Sequence, residues 1–229
     1  MTIVGRGFPK AILFDLDGTL IDSAPDITVA VNELLATRGL PGQTVAAVTV
    51  MIGNGVEKLV ERAFAAAGQP LAGAELAQAL RDMAPIYLRH TTNRTTLLPG
   101  VRESLAVLHV RGALLGVVTN KPQAATRQIL LHFGLLDLFK AVIGGDAVVA
   151  KKPAPDALLL ALEKMRVEPA DAIMVGDSKA DVGAARAAGM PVVLIRGGYT
   201  TIAVEDLGAD LILDSLDQLP AALRQAEAA

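Results

Sequence analysis

Ala11-Ile12-Leu13-Phe14-Asp15-Leu16-Asp17-Gly18-Thr19-Leu20 is the stretch on which the fold turns. A short apolar run bounded by a glycine predicts a strand buried on both faces, as in a parallel sheet. Two aspartates stand two residues apart at its C-terminal end, and Gly18 follows where the chain must turn. The period of two puts both carboxylates on one side of a strand, and ligands of open α/β sheets gather at that end. Two like charges ~4 Å apart repel by ~4 kcal/mol at an effective dielectric of about 20. Such a pair implies either a bound cation or a shared proton. The local alternative is a turn in which Asp and Gly serve only their own hydrogen bonds.

The 229 residues suffice for one large or two small domains with a real core. Hydrophobic residues make up 52% and aromatic residues only 3%, so Ala, Leu and Val must fill that core. A net charge of −3 argues against a nucleic-acid or membrane-surface partner. The absence of cysteine excludes disulfides and thiolate metal sites and fits a reducing compartment. No signal pattern and no membrane-length apolar run is present, so a cytoplasmic protein is expected, a monomer or weak homodimer.

Residues 24–92 show helical spacing without strand alternation. Ser23 with Asp26 forms a capping-box pattern before Ile27, Val31, Leu34 and Leu35. Gly53-Asn54-Gly55 opens a second helix with Asn54 as its N-cap, and a third runs from about Ala74 to Arg89, which Pro85 is expected to kink or split. From Leu97 onward helices alternate with strands at Ala113–Val118, Ala141–Ile143, Ala172–Val175, Val192–Ile195 and Leu211–Leu213. That alternation predicts an α/β fold, a Rossmann-like doubly wound parallel sheet with right-handed crossovers. Residues 1–20 and 96–229 form the core domain on this division, and residues 21–95 an inserted all-helical cap over the Asp15/Asp17 end.

Three more segments put reactive side chains just past strands. Thr119-Asn120-Lys121 offers a hydroxyl to an oxyanion, though Thr and Asn are also ordinary turn formers, and Lys121 either reaches the site or is a solvated loop lysine. Lys151-Lys152-Pro153 is either functional or a solvated patch. Gly176-Asp177-Ser178 with Asp181 adds acids one helical turn apart, with Ser178 as a helix N-cap. Parallel strands share a direction, so these ends converge. A third acid beside Asp15 and Asp17 deepens the repulsion, which a hard cation such as Mg²⁺ relieves through oxygen ligands. Carboxylates, a hydroxyl, an ammonium and Mg²⁺ together suit phosphoryl transfer.

Asp15-Leu16-Asp17-Gly18-Thr19-Leu20, Thr119, Lys152-Pro153 and Gly176-Asp177-Ser178 with Asp181 resemble the four ordered motifs of the haloacid dehalogenase superfamily, over nearly the whole chain. Ile52-Gly53-Asn54-Gly55, Thr119-Asn120-Lys121-Pro122, Gly144-Gly145-Asp146 and Lys151-Lys152-Pro153 further resemble bacterial phosphoglycolate phosphatases. The resemblance weakens near Arg196-Gly197-Gly198-Tyr199. It implies Asp15 as nucleophile forming an aspartyl-phosphate, Asp17 as general acid and base, and Thr119 and Lys152 on the phosphoryl oxygens. It also implies Mg²⁺ on Asp15, the Asp17 carbonyl and Asp177, with Asp181 orienting Lys152. An acid at Asp17 argues against dehalogenation. The N-terminus of the Gly53-Asn54-Gly55 helix either accepts a small substrate carboxylate or serves only a tight turn, and Asn120 is a further substrate-binding candidate.

A phosphatase of small phosphorylated acids is therefore expected, 2-phosphoglycolate first. A pyrophosphatase, or a sugar-phosphate phosphatase or mutase, uses the same groups. A non-catalytic nucleotide-binding module is the alternative of another class, against which stands the lack of a Gly-x-Gly-x-x-Gly or P-loop after the first strand.

Overall fold

The computed structural model describes residues 7–228. Strands β1 (Ala11–Phe14), β4 (Leu114–Val118), β5 (Phe139–Ile143), β6 (Ala172–Gly176), β7 (Val192–Ile195) and β8 (Leu211–Leu213) form one parallel sheet in the order β5-β4-β1-β6-β7-β8. A short antiparallel ribbon joins β2 (Ile21–Asp22) to β3 (Thr96–Leu97). The helices are α1 (Ala24–Ala36), α2 (Val45–Thr49), α3 (Gly55–Ala66), α4 (Gly73–Arg89), α5 (Val101–Val110), α6 (Gln123–His132), α7 (Asp156–Met165), α8 (Lys179–Ala187) and α9 (Leu219–Ala228).

β1 is central because both of its faces are covered. Ile12 and Phe14 pack with Leu105, Leu108, Ile129 and Leu223 on one face; Ala11 and Leu13 pack with Leu158, Leu162, Val182 and Ala185 on the other. Each fully buried Leu, Ile or Phe contributes ~1.5–3 kcal/mol of transfer free energy, which makes the continuous apolar run the strongest strand signal in the chain. The chain leaves β1 for β4 and β5 on one side, then returns to β6 on the other. The strand order thus reverses at β1, where a crevice opens beyond the carboxyl ends.

The α1–α4 helices carry a separate apolar cluster around Ile27, Leu34, Phe64 and Met83, joined by Ala125 of α6. Two local expectations change here, and two short elements go beyond the sequence reading. The expected capping box at Ser23 does not form: Ser23 makes no capping bond and its hydroxyl goes to Asp17. Asp26 instead accepts from the N–H groups of Arg94 and Thr95 and from the Thr95 hydroxyl at 2.8–3.0 Å, tying α1 to the returning chain. Helix α4 runs unbroken through Pro85. Helix α2 and the β2–β3 ribbon were too short to show a period in the sequence.

Candidate active site

Asp15 is the first residue beyond β1, and its N–H still donates to the Val175 carbonyl at 2.9 Å, so the sheet fixes its backbone. Its Oδ1 accepts from the Leu16 N–H at 2.8 Å and lies 2.9 Å from Lys152 Nζ. Gly18 turns the chain with φ +82°, and its N–H donates to the Ile21 carbonyl. A Cβ at Gly18 would meet Asp177 Oδ2 at 2.6 Å, and one at Gly198 would meet it at 2.2 Å. Two glycines therefore cradle the Asp177 carboxylate. Asp177 in turn accepts from the Tyr199 N–H at 2.7 Å and the Thr19 hydroxyl at 3.3 Å.

Lys152 spends all three ammonium hydrogens: on Asp15, on Asp181 Oδ1 at 2.7 Å, and on the Val118 carbonyl at 2.9 Å. Its loop is held by Asn120, whose Oδ1 accepts from the Lys152 N–H and whose Nδ2 donates to the Lys152 carbonyl, both at 3.0 Å. The other Asp181 oxygen accepts from the Ser178 N–H and hydroxyl, a capping box that starts α8 and aims the acid at Lys152. Thr119 is buried past β4, anchored by its N–H to the Ile143 carbonyl.

The electrostatics of this floor are unbalanced. Asp15, Asp177 and Asp181 each offer an oxygen within 4.8 Å of the others, and all three are buried against the single Lys152 ammonium. Burial pushes the Asp15 carboxyl up to about 6, against the pull of Lys152 and with Asp181 adding to it. Burial, then Asp181 and Asp15, drives Asp177 well above the usual carboxylate range, despite the Tyr199 N–H. A hard divalent cation bound by carboxylate oxygens supplies the missing charge. The donor set therefore fits such an ion, though both Asp181 oxygens are already committed to the protein.

Asp17 faces the helical layer. Its Oδ1 accepts from the Ser23 hydroxyl at 2.6 Å and from Lys121 Nζ at 2.9 Å. Lys121 is buried and also donates to the Tyr87 hydroxyl of α4 at 2.9 Å. Burial pulls Lys121 toward its neutral form, but Asp17 and then Tyr87 outweigh it, so its pKa stands above the ordinary lysine value. A cavity of ≈ 20 Å³ lies between Asp15, Asp17, Thr119, Asn120 and Lys121 below and Ile27, Ile52, Val56, Leu59 and Tyr87 above. That is room for little more than one water, so the helices are closed on the sheet.

Of the residues expected from the sequence, Asp15, Asp17, Thr119, Lys152 and Asp177 meet at this crevice. Gly53 lines the cavity, and its carbonyl accepts from Asn120 Nδ2 at 2.9 Å. Both Asn120 amide hydrogens are thereby taken. Asn54 stands at the start of α3 without capping it; its exposed side chain accepts from Arg62 at 2.7 Å instead. The sequence misses Tyr87 and Tyr199, marks Ser23 as a helix cap, and leaves Lys121 open between the site and a solvated loop. The Tyr199 hydroxyl donates to Asp22 at 2.7 Å and accepts from the Ser23 and Ala24 N–H groups, locking the entry to α1.

Comparison with known proteins points the same way. Residues 12–195 match the model of the haloacid dehalogenase-like hydrolases. A phosphoglycolate phosphatase of Cereibacter sphaeroides is 41% identical over 93% of this chain and 97% of its own length. One of Rhodospirillum rubrum is 42% identical over 92% and 89%. The crystal structure of a predicted phosphoglycolate phosphatase from Haemophilus somnus superposes with a TM-score of 0.87 at 33% identity, covering 97% and 99%. CbbY of Rhodobacter sphaeroides, solved in complex with phosphate, gives 0.78 at 28% identity, covering 92% and 96%. The parallel sheet with its order reversal at β1, and these matches across most of the sequence, make the chain a member of the haloacid dehalogenase-like hydrolase family.

Proposed function

We propose that this chain is a Mg²⁺-dependent phosphatase that cleaves 2-phosphoglycolate to glycolate and phosphate. The observation that carries it is the closed crevice, in which Asp15 and Asp17 share a small cavity roofed by apolar side chains, together with relatives of that name near 40% identity over most of the chain. The division into a core of residues 1–20 and 96–229 and a cap of residues 21–95 belongs to this reading. The cap opens to admit substrate and closes to exclude water.

Asp15 attacks phosphorus in line and carries the phosphoryl group as an acyl phosphate. Asp17, two residues on and held by Ser23 and Lys121, protonates the leaving oxygen and then takes a proton from the water that hydrolyses the acyl phosphate. The Thr119 hydroxyl and the Lys152 ammonium bind phosphoryl oxygens as charge builds. Asp181 keeps Lys152 in place. Asp15, the Asp17 carbonyl and Asp177 would hold Mg²⁺, which when bound screens the nucleophile from the anionic phosphate.

Phosphate release over a panel of phosphoglycolate, pyrophosphate and sugar phosphates tests the substrate. The kcat/KM for phosphoglycolate is expected to exceed the others by at least about tenfold; pyrophosphate or a sugar phosphate in the lead overturns the assignment. The metal has its own readout. Mg²⁺ at about a hundred times its Kd stabilises the fold by ~2.7 kcal/mol, a rise in Tm of roughly 5–11 °C for a chain of this size. Asp177→Asn should abolish most of that rise, and an undiminished rise in the variant removes Asp177 from the ligand set.

A further inference from the structure

We propose that Lys121 is the subsite for an anionic leaving group, pairing with the substrate carboxylate while Asp17 serves the bridging oxygen. This rests on the phosphoglycolate reading and deepens it. Among the residues lining the cavity, Lys121 carries the only ammonium. The other buried lysine of the site, Lys152, does not line this cavity and lies 2.9 Å from Asp15, which places it on the phosphoryl side of the ester. Lys121 differs. Its side chain is 2% exposed, and it holds Asp17 through a 2.9 Å contact to Oδ1 and a looser 3.3 Å contact to Oδ2. The looser contact is the one an incoming acceptor can replace without detaching Asp17.

Position selects the ligand. The ammonium lies beside the carboxylate assigned to the leaving oxygen, so it faces whatever that oxygen carries. In phosphoglycolate the carboxylate carbon is two bonds from that oxygen. The other side chains of the roof, Ile27, Ile52, Val56 and Leu59, are apolar and offer no partner to the several hydroxyls of a sugar. Tyr87 completes the subsite from the helical side. Its hydroxyl is 2.9 Å from Lys121 Nζ and its ring centroid 5.0 Å away, so closing the helices brings a second donor to the same point. Neither the carboxamide of Asn54, turned to Arg62, nor that of Asn120, already bonded, competes for this role.

The test compares phosphoglycolate with ethyl phosphate, which keeps the ester and replaces the carboxylate by a methyl group. Wild-type enzyme is expected to favour phosphoglycolate. Lys121→Gln keeps a hydrogen-bonding group near Asp17 and removes the charge. It should lower the phosphoglycolate to ethyl phosphate ratio of kcat/KM by at least about 30-fold, mainly through KM, and weaken inhibition by glycolate in parallel. Lys121→Arg should restore part of the ratio. Equal losses on both esters, with the ratio intact, overturn the proposal and leave Lys121 as a positioning residue for Asp17. If Lys121→Gln does not fold, Lys121→Met, which keeps the stem and removes the charge, carries the same comparison, and an unchanged ratio there also overturns it. Failure of the wild type to hydrolyse phosphoglycolate sinks the substrate reading itself, an outcome distinct from a preference that survives in the variants.

Discussion

Asp15→Asn is expected to lose at least about 10⁴-fold in kcat while folding like the parent. The amide has the shape of the carboxylate, and its oxygen can still accept from the Leu16 N–H. It has no anionic oxygen to attack phosphorus. The fold tolerates the change because burial already opposes the Asp15 charge, raising its pKa to about 6, and Asp181 and Asp17 add repulsion. Against this relief stands the loss of one partner for Lys152, which keeps Asp181 and the Val118 carbonyl. The two effects oppose each other, so Tm should move by only a few degrees. Phosphate release and thermal unfolding of the same preparation check both halves. Activity within tenfold of the parent excludes Asp15 as the nucleophile; a collapsed Tm shows that its charge, against expectation, holds the site together.

The parts of this site that a sequence shows are those whose signal is local. β1 is legible because burial on both faces makes it an uninterrupted apolar run, and Asp15, Asp17, Thr119 and Asp177 follow strands of that kind. Parallel pairing then brings strand ends together whatever lies between them. On sequence alone, Lys121 stays open between the site and a solvated loop. In Thr119-Asn120-Lys121 it looks like any loop lysine, and only the arrival of Tyr87 from α4 and Asp17 from β1 buries it. Tyr199 is likewise invisible, since its hydroxyl meets Asp22 across 177 positions of chain. Asn54 and Ser23 show the opposite failure. Each sits where a cap belongs, but a stronger partner takes the side chain: the Arg62 guanidinium for one, the Asp17 carboxylate for the other. Charged hydrogen bonds are roughly twice as strong as the neutral capping bond they displace.

Lys152→Met separates what the central lysine does for chemistry from what it does for the fold. Methionine keeps the length of the stem, so packing is largely preserved and the ammonium alone is removed. Asp15 and Asp181 are then buried with no cation between them, and the Val118 carbonyl loses its donor. Breaking a buried pair in this way costs about 3–5 kcal/mol, a fall in Tm of roughly 6–20 °C. Loss of the charge that stabilises the phosphoryl oxygens should lower kcat by about 10²–10³-fold. A second change divides the two losses. Asp181→Asn in the Lys152→Met background removes one of the stranded carboxylates, and its amide oxygen can still accept from Ser178 at the start of α8. Stability should return in part, as coupled neighbours require, while kcat stays low because no ammonium has been restored. If activity returned together with stability, the role of Lys152 would be to neutralise Asp181 rather than to meet the phosphoryl group. An unchanged Tm in the single variant would mean that the three buried contacts of Lys152 contribute no net stability.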